Sequence, residues 1–306
     1  MLSGIRAQDG LFLSELGHIE DRISKSNQQV TSGIRVAQAA DDPSAVMPIL
    51  QFQSQIDRLT QVDSNLQRAN TDIVTADSAL QSAGVIMNRL SSIASQGVND
   101  QATPENRKDL SIEVEQLQNQ LVSIANTSIG NRYIFGGDNT NVVPYSFDWS
   151  KPSGVVNNLT DFTPTYLSDS NGSTIATGKT ATEIFDARDT GGNPVAGNVF
   201  KAVYDLGQAL NNDDKAGIQT AIVSLKDATT HVGQVTVFYG NVESWITQAN
   251  ENAANQLSAV QQSLSSLQDV DMPSAITRLT ADQTALQVSL SAHASLSSKT
   301  LFDYLG

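Results

Sequence analysis

The chain has 306 residues, and its 32 Asp and Glu outnumber its 18 Lys and Arg, which gives a formal net charge of -14. A chain this acidic lacks the basic face that nucleic acids require, so we expect no nucleic-acid partner. It contains no cysteine, which excludes disulfides and thiolate metal sites. No run of 18 apolar residues occurs, so we expect no membrane insertion.

The N-terminal segment 1–40 is predicted to be a coiled-coil helix, because apolar residues recur at steps of four and three. Its N-terminus also lacks the basic start and apolar stretch of a cleavable signal peptide, which by residue properties alone predicts a cytosolic protein. The residues that carry the apolar repeat are Ile5, Phe12, Leu16, Ile19, Ile23 and Val30.

Segment 41–132 is predicted to be the first half of a helical rod. No proline lies between Pro48 and Pro104, which permits one very long helix. A second helix is predicted to begin at Thr103-Pro104-Glu105, a favourable cap, proline and acid sequence, and to close with Gly130 as a left-handed cap. The long helix carries one apolar residue at every seventh position: Phe52, Leu59, Leu66, Ile73, Leu80, Met87 and Ala94.

The middle segment 133–197 differs, because aromatic and proline residues concentrate there and short stretches such as 145–149 and 162–167 alternate in polarity. We predict a small β-rich inserted domain. Segment 198–271 is predicted to be the second half of the rod, with a helix over 198–210 and a very long one from about 214 to 270.

The C-terminal segment 272–306 shows a looser apolar repeat that is interrupted by polar residues, including His293. A seam this weak is not expected to hold alone, so we predict that 272–306 pairs with 1–40 and that both termini lie at one end of a long molecule. The residues of this looser repeat are Ile276, Leu279, Leu286, Leu290 and Leu301.

No catalytic, cofactor or metal site is predicted. The sequence Gly178-Lys179-Thr180 lacks the upstream glycine spacing of a phosphate-binding loop, and the three histidines share no metal-ligand spacing. The acidic pairs Asp41-Asp42 and Asp213-Asp214 lie at predicted helix starts, where capping is the common role. We therefore expect a protein that is not an enzyme.

Four segments resemble the bacterial flagellin and hook-associated protein family. Residues 22–43, from Arg22-Ile23-Ser24 to Asp41-Asp42-Pro43, are similar to the family's opening segment, although residues 36–39 stand where the family often has an Ile-Asn pair. Residues 130–137 resemble the exit from the second rod helix in the family's hook-filament junction members. The segments 267–272 and 301–305 also favour those members over filament subunits.

The resemblance implies a mainly α, elongated rod of long coiled-coil helices built from both ends of the chain, with a small β-rich insert. It implies a structural component of the bacterial flagellum that forms a ring at the hook-filament junction. The implied partners are further copies of the chain, hook-associated protein 1 on the hook side and flagellin on the filament side. Export by the flagellar type III gate with a cytoplasmic chaperone, and an extracellular location, are also implied, and this replaces the cytosolic prediction made from residue properties alone.

Both ends of the chain are expected to order on assembly, because ordering each residue costs about 1–2 kcal/mol in backbone entropy and a free subunit offers the seams few partners. Two alternatives stay open, a flagellin filament subunit and an intracellular signalling coiled coil. The residues predicted to form the assembly interface are Ile5, Phe12, Leu16, Ile19, Ile23, Val30, Ile276, Leu279, Leu286, Leu290, Leu301, Phe302 and Leu305.

Overall fold

A computed structural model describes the backbone of residues 2–159, 163 and 165–305, and the side chains of residues 10–159, 163 and 165–295. Helices dominate this part of the chain, as the sequence predicts. The helices are α1 (Leu2–Ser32), α2 (Pro43–Gly97), α3 (Pro104–Ala125), α4 (Ala181–Phe185), α5 (Val199–Asn211), α6 (Lys215–Gln268) and α7 (Met272–Leu305).

The strands are two or three residues long and form three separate antiparallel hairpins, in which each strand pairs with the next one along the chain. The predicted combination of long helices with a small β-rich part is therefore confirmed. The strands are β1 (Ser128–Ile129), β2 (Arg132–Tyr133), β3 (Tyr145–Phe147), β4 (Val155–Asn157), β5 (Tyr166–Ser168) and β6 (Thr174–Ala176).

The chain divides into two compact units. The terminal unit consists of Met1–Arg58 and Gln256–Gly306, and the central unit is Leu59–Asn255. The divisions fall inside α2 and α6, which both continue through them.

The core of the central unit follows from the seven-residue repeat. In α2, Leu66, Ile73, Leu80, Met87 and Ala94 are all buried in one continuous apolar cluster. Each buried Leu or Ile of this kind stabilises the fold by about 1.5–3 kcal/mol. The α6 helix supplies a matching row of buried residues, also seven apart: Ile218, Leu225, Val232, Tyr239, Ile246 and Ala253.

The β-rich part shares this core through its aromatic side chains. Phe135 packs edge to face on Phe185 and Tyr239, with ring centroids 6.1 and 6.4 Å apart. Tyr145 of β3 lies 5.0 Å from Phe200 of α5. The hairpins are thus joined to the helices by buried rings.

The start of α3 is as predicted, but its end is not. The Thr103 hydroxyl accepts a hydrogen bond from the Asn106 amide, and Pro104 begins the helix. The helix ends at Ala125, and Gly130 has a φ of +61° within the β1–β2 turn instead of capping α3. The reason is tertiary: the side chain of the capping residue Asn126 bonds both the carbonyl (2.7 Å) and the amide (2.9 Å) of Tyr145.

The predicted strand at 145–149 is shorter than expected, because β3 ends at Phe147 and the Asp148 carboxylate then accepts hydrogen bonds from the amide and hydroxyl of Ser150. Within the predicted strand 162–167, β5 begins only at Tyr166, and Phe162 lies outside the described residues.

Candidate assembly interface

The terminal unit brings the two ends of the chain together as a pair of antiparallel helices. Phe12 of α1 stacks on His293 of α7, with ring centroids 3.9 Å apart, and Arg22 pairs with Asp282 at 3.0 Å. Residues later in α1 therefore contact residues earlier in α7, as in any antiparallel pair. It positions most of the residues that are predicted to form the assembly interface.

Those residues differ in their burial within the single chain. Ile19 is buried, whereas Ile276 and Leu290 are 49% and 47% exposed. The side chains of Ile5, Leu301, Phe302 and Leu305 lie outside the described part of the chain. Half-buried positions make up the rest of the set: Phe12, Leu16, Ile23, Val30, Leu279 and Leu286.

Three further apolar side chains on these helices, Leu11, Leu13 and Val288, are exposed and do not belong to the predicted set. They lie off the seam that the four-three spacing defines, so the spacing that identifies the interface cannot find them. Their exposure beside that seam widens the apolar surface that another protein could cover.

The loop that follows α1 is hydrogen-bonded to the junction between α6 and α7. Gly33 ends α1 with a φ of +72°, a left-handed conformation that favours glycine, and its carbonyl accepts from the Val270 amide at 2.9 Å. The Arg35 amide donates to the Gln268 carbonyl at 2.7 Å. This small ladder ties residues 33–36 to the junction between α6 and α7.

Arg35 is the side chain that holds the same junction. Its guanidinium donates to the Leu267 carbonyl at 2.6 Å and to the Asp42 carboxylate at 3.1 Å. Asp42 in turn accepts from the Ala45 amide at the start of α2, at 3.3 Å. The hydroxyl of Ser44 first, and then Arg35, lower the pKa of Asp42 below its ordinary 3.8. The predicted capping role of Asp42 is confirmed.

Asp41 forms a second clamp on this loop. Its carboxylate pairs with Lys25 of α1 at 2.7 Å and accepts from the amides of Ala37 and Gln38. Lys25 is the main cause of the lowered pKa of Asp41, followed by the Gln38 amide. Beneath the loop, a small apolar cluster of Val36, Ala45 and Ile49 packs against Leu264 and Leu267.

The described residues contain no group of three or more His, Asp or Glu side chains that could hold a metal ion. Nε2 of His231 lies 2.8 Å from the Glu183 carbonyl, and His18 is exposed. Thr180 of the glycine-lysine-threonine sequence caps α4 by bonding the Glu183 amide. A search of the described helices for a membrane-spanning segment finds none.

Residues 12–140 match the bacterial flagellin N-terminal helical region, and residues 220–305 match the bacterial flagellin C-terminal helical region. The chain belongs to the flagellin and hook-associated protein family. The two matches contain most of α1 and α7, together with the loop clamps at Arg35 and Asp41. Family members of this kind are structural components of the flagellum.

Two relatives within the family show different extents of similarity. The flagellar hook-associated protein 3 of Escherichia coli K12 is 25% identical over 298 residues, which cover 91% of each chain. A flagellin of Clostridium tyrobutyricum is 34% identical over 105 residues, which cover 34% of this chain and only 28% of that flagellin. The fuller similarity is thus to the hook-associated member of the family.

Solved structures support the same fold. A hook-associated protein of Vibrio parahaemolyticus covers 75% of this chain and all of its own, with a TM-score of 0.64 and 17% identity. The flagellar hook-associated protein 3 of Legionella pneumophila covers 72% of this chain and 98% of its own, with a TM-score of 0.61 and 17% identity.

Proposed function

We propose that this chain is a structural subunit of the hook-filament junction, which polymerises as a ring between a layer of hook-associated protein 1 and the flagellin filament. The observation that carries the proposal is the similarity to E. coli flagellar hook-associated protein 3, which runs through 91% of both chains. The match to the Clostridium flagellin, in contrast, spans 105 residues.

The α1–α7 pair is the element that we expect to make the ring. In the single chain, Ile276 and Leu290 of α7 and Leu11 of α1 leave apolar surface in water. Covering a large aliphatic side chain contributes about 1.5–3 kcal/mol, so a neighbouring subunit that covers several of them would offset the entropy lost when the ends order. The two ends of the chain would then be more stable in the assembled ring than in the free subunit.

The remaining parts of the proposal follow from membership in the family. The chain would leave the cell through the flagellar type III export gate, delivered by a cytoplasmic chaperone, and would act outside the cell on the flagellum. Its role would be structural rather than catalytic. A chain threaded through a narrow channel gains nothing from disulfides, which agrees with its lack of cysteine.

The deciding experiment uses a strain that lacks this gene. Electron microscopy of cell-surface hooks would be combined with an assay for flagellin in the medium, before and after the wild-type gene is restored. We expect hooks without filaments, flagellin shed as monomer, and filaments again after restoration. Normal filaments on the deletion strain would overturn the proposal.

The second candidate is a flagellin filament subunit. It is favoured by the 34% identity to the Clostridium flagellin, which extends over 105 residues. The same strain separates the two functions. If the chain were the filament subunit, the deletion would remove the filament without releasing another flagellin into the medium. Antibodies against the chain would then also label the whole filament instead of its base.

A further inference from the structure

A polar groove of about 480 Å³ lies within the terminal unit, between α1, α7 and the loop that follows α1. The charged side chains of its lining are four basic ones and two carboxylates, so the lining carries an excess of positive charge: Arg22, Lys25, Arg35, Arg278, Asp41 and Asp282. The whole chain has only 18 basic residues and a net charge of -14. The groove is therefore positively charged, although the molecule as a whole is strongly negative. We call it the basic groove.

The ion pairs of the basic groove are layered, with carboxylates beneath and cations outside. The three basic side chains that are paired are 42–54% exposed, whereas their carboxylate partners are only 18–26% exposed. Water therefore meets mainly guanidinium and ammonium groups. The pairs are Arg22–Asp282 at 3.0 Å, Lys25–Asp41 at 2.7 Å and Arg35–Asp42 at 3.1 Å.

Unused hydrogen-bond donors remain on this outer layer. Arg278 is exposed, and it forms no ion pair within the described part of the chain. The ion pair of Arg22 joins only its Nε to Asp282, which leaves the outer nitrogens of its guanidinium for another acceptor. Arginine donors arranged in this way match the two oxygens of a carboxylate.

We infer that the basic groove binds carboxylate side chains of a second copy of this chain, as a contact between neighbouring subunits. The inference rests on the proposed ring, in which copies adjoin one another. Each copy brings an excess of acidic residues, 32 against 18 basic ones, and so complements the groove in charge. Such pairs are weak while exposed to water and strengthen when a neighbouring subunit excludes it.

A cross-linking experiment tests the occupant directly. Hook-filament particles would be treated with a carbodiimide, which joins the Lys25 amine to a carboxylate in contact with it, and the linked peptides identified by mass spectrometry. We expect a Lys25 link to another Asp or Glu of this chain that is found in particles and is absent from free subunits. A link to Asp41 alone, or to a different flagellar protein, would overturn the inference.

Charge reversal supplies the functional test in the deletion strain. We expect R278E to lower the number of filament-bearing hooks about tenfold, R278K to restore nearly the wild-type number, and the control K226E to behave as wild type. Lys226 is exposed on α6 and forms no ion pair within the described residues. Because Arg278 is also exposed, circular dichroism should show unchanged helix content in R278E.

The two proposals fail in different ways. If the deletion strain has normal filaments, the junction function is wrong. If wild type restores the filaments and R278E restores them equally well, the junction function stands and the contact at the basic groove is wrong.

Discussion

Arg107 illustrates how a single buried side chain can organise the end of the central unit. Its guanidinium donates to the carbonyls of Gly97 at 2.7 Å and Asn99 at 3.1 Å, and it pairs with Asp213. Asp213 itself has a φ of +55° and lies just before α6. One arginine therefore joins the α2–α3 connection to the α5–α6 connection.

Replacing Arg107 with Met should lower the free energy of unfolding by about 2–4 kcal/mol, because two carbonyls lose their donor and the fork of hydrogen bonds cannot be replaced. Both tryptophans, Trp149 and Trp245, lie in the central unit, so urea unfolding followed by tryptophan fluorescence reports this unit. The control Arg89→Ala breaks an exposed pair with Glu113 and should cost under about 1 kcal/mol. Equal losses in the two variants would contradict the role of Arg107.

At the loop clamp, the lowered pKa values of Asp41 and Asp42 predict a dependence on acid pH. A carboxyl whose pKa is lower in the folded state stabilises that state above its ordinary value of 3.8, and the contribution is lost as the pH falls through the folded pKa. The protection of the Arg35 and Val36 amides, which both donate to Gln268, is the hydrogen-exchange rate measured relative to the intrinsic rate at the same pH. This protection should therefore fall below about pH 4.

The Asp42→Asn variant isolates the charge of that carboxylate. At neutral pH the variant should exchange faster than wild type at the Arg35 amide, and the difference should vanish in acid. A difference that persists unchanged at low pH would show that the carboxylate charge does not hold the loop.

Few of the described side chains of the paired helices α1 and α7, at residues 10–32 and 272–295, are fully buried. Ile19 of α1 is buried in the pair, and Leu16 and Ile23 beside it are half-buried, whereas Ile276 and Leu290 of α7 are exposed. The long helices of the central unit bury an apolar residue at every seventh position over most of their length. Stability should therefore be lower in the α1–α7 pair than in the central unit.

Substitutions in these helices should separate folding from assembly. Leu290→Asp changes an exposed side chain, so the free subunit should keep its helix content while incorporation into hook-filament particles is lost. Ile19→Asp should also lose incorporation, because it buries a charge within the pair, and the assembled particle would then lack the ordered α1–α7 pair. Circular dichroism and immunoblots of sheared particles measure the two effects.

Thr284→Asp is the matched control, since Thr284 is an exposed polar residue of α7. It should incorporate as wild type does. Normal incorporation of Leu290→Asp would remove Leu290 from the assembly interface.

At the scale of the whole molecule, the two compact units depend on different sources of stability. The continuous core from Leu66 to Ala253 lies entirely within the central unit. The terminal unit relies on the half-buried α1–α7 seam, the loop clamps and the small cluster around Val36. The central unit should consequently fold without the ends of the chain.

A fragment of residues 59–255 should reproduce the urea transition of the full chain when both are followed by tryptophan fluorescence. Because the fragment contains both tryptophans and the whole central core, its midpoint should differ little from that of the intact protein. A fragment without helix content, or with a transition that has lost its cooperativity, would show that the ends are required for the central fold.

Local patterns in the sequence are sufficient to predict the long helices α2 and α6. A seven-residue apolar repeat defines one face of a helix wherever that helix packs, so the rows through Ile73 in α2 and Ile246 in α6 follow from residue spacing alone. The cap at Thr103 is equally predictable, because its hydrogen bond spans three residues. Family membership likewise follows from motifs near the two ends.

Only the tertiary structure decided which residues meet across long distances in the chain. Arg35 bonds a carbonyl 232 residues away, and the pairing of Arg107 with Asp213 spans 106 residues, distances over which no local spacing carries information. From the sequence alone Gly130 predicts a helix cap, because glycine readily adopts a left-handed conformation. It lies in a turn instead, because the helix ends earlier, where the Asn126 side chain bonds the backbone of Tyr145. The basic groove, too, exists because α1, α7 and one loop converge in space.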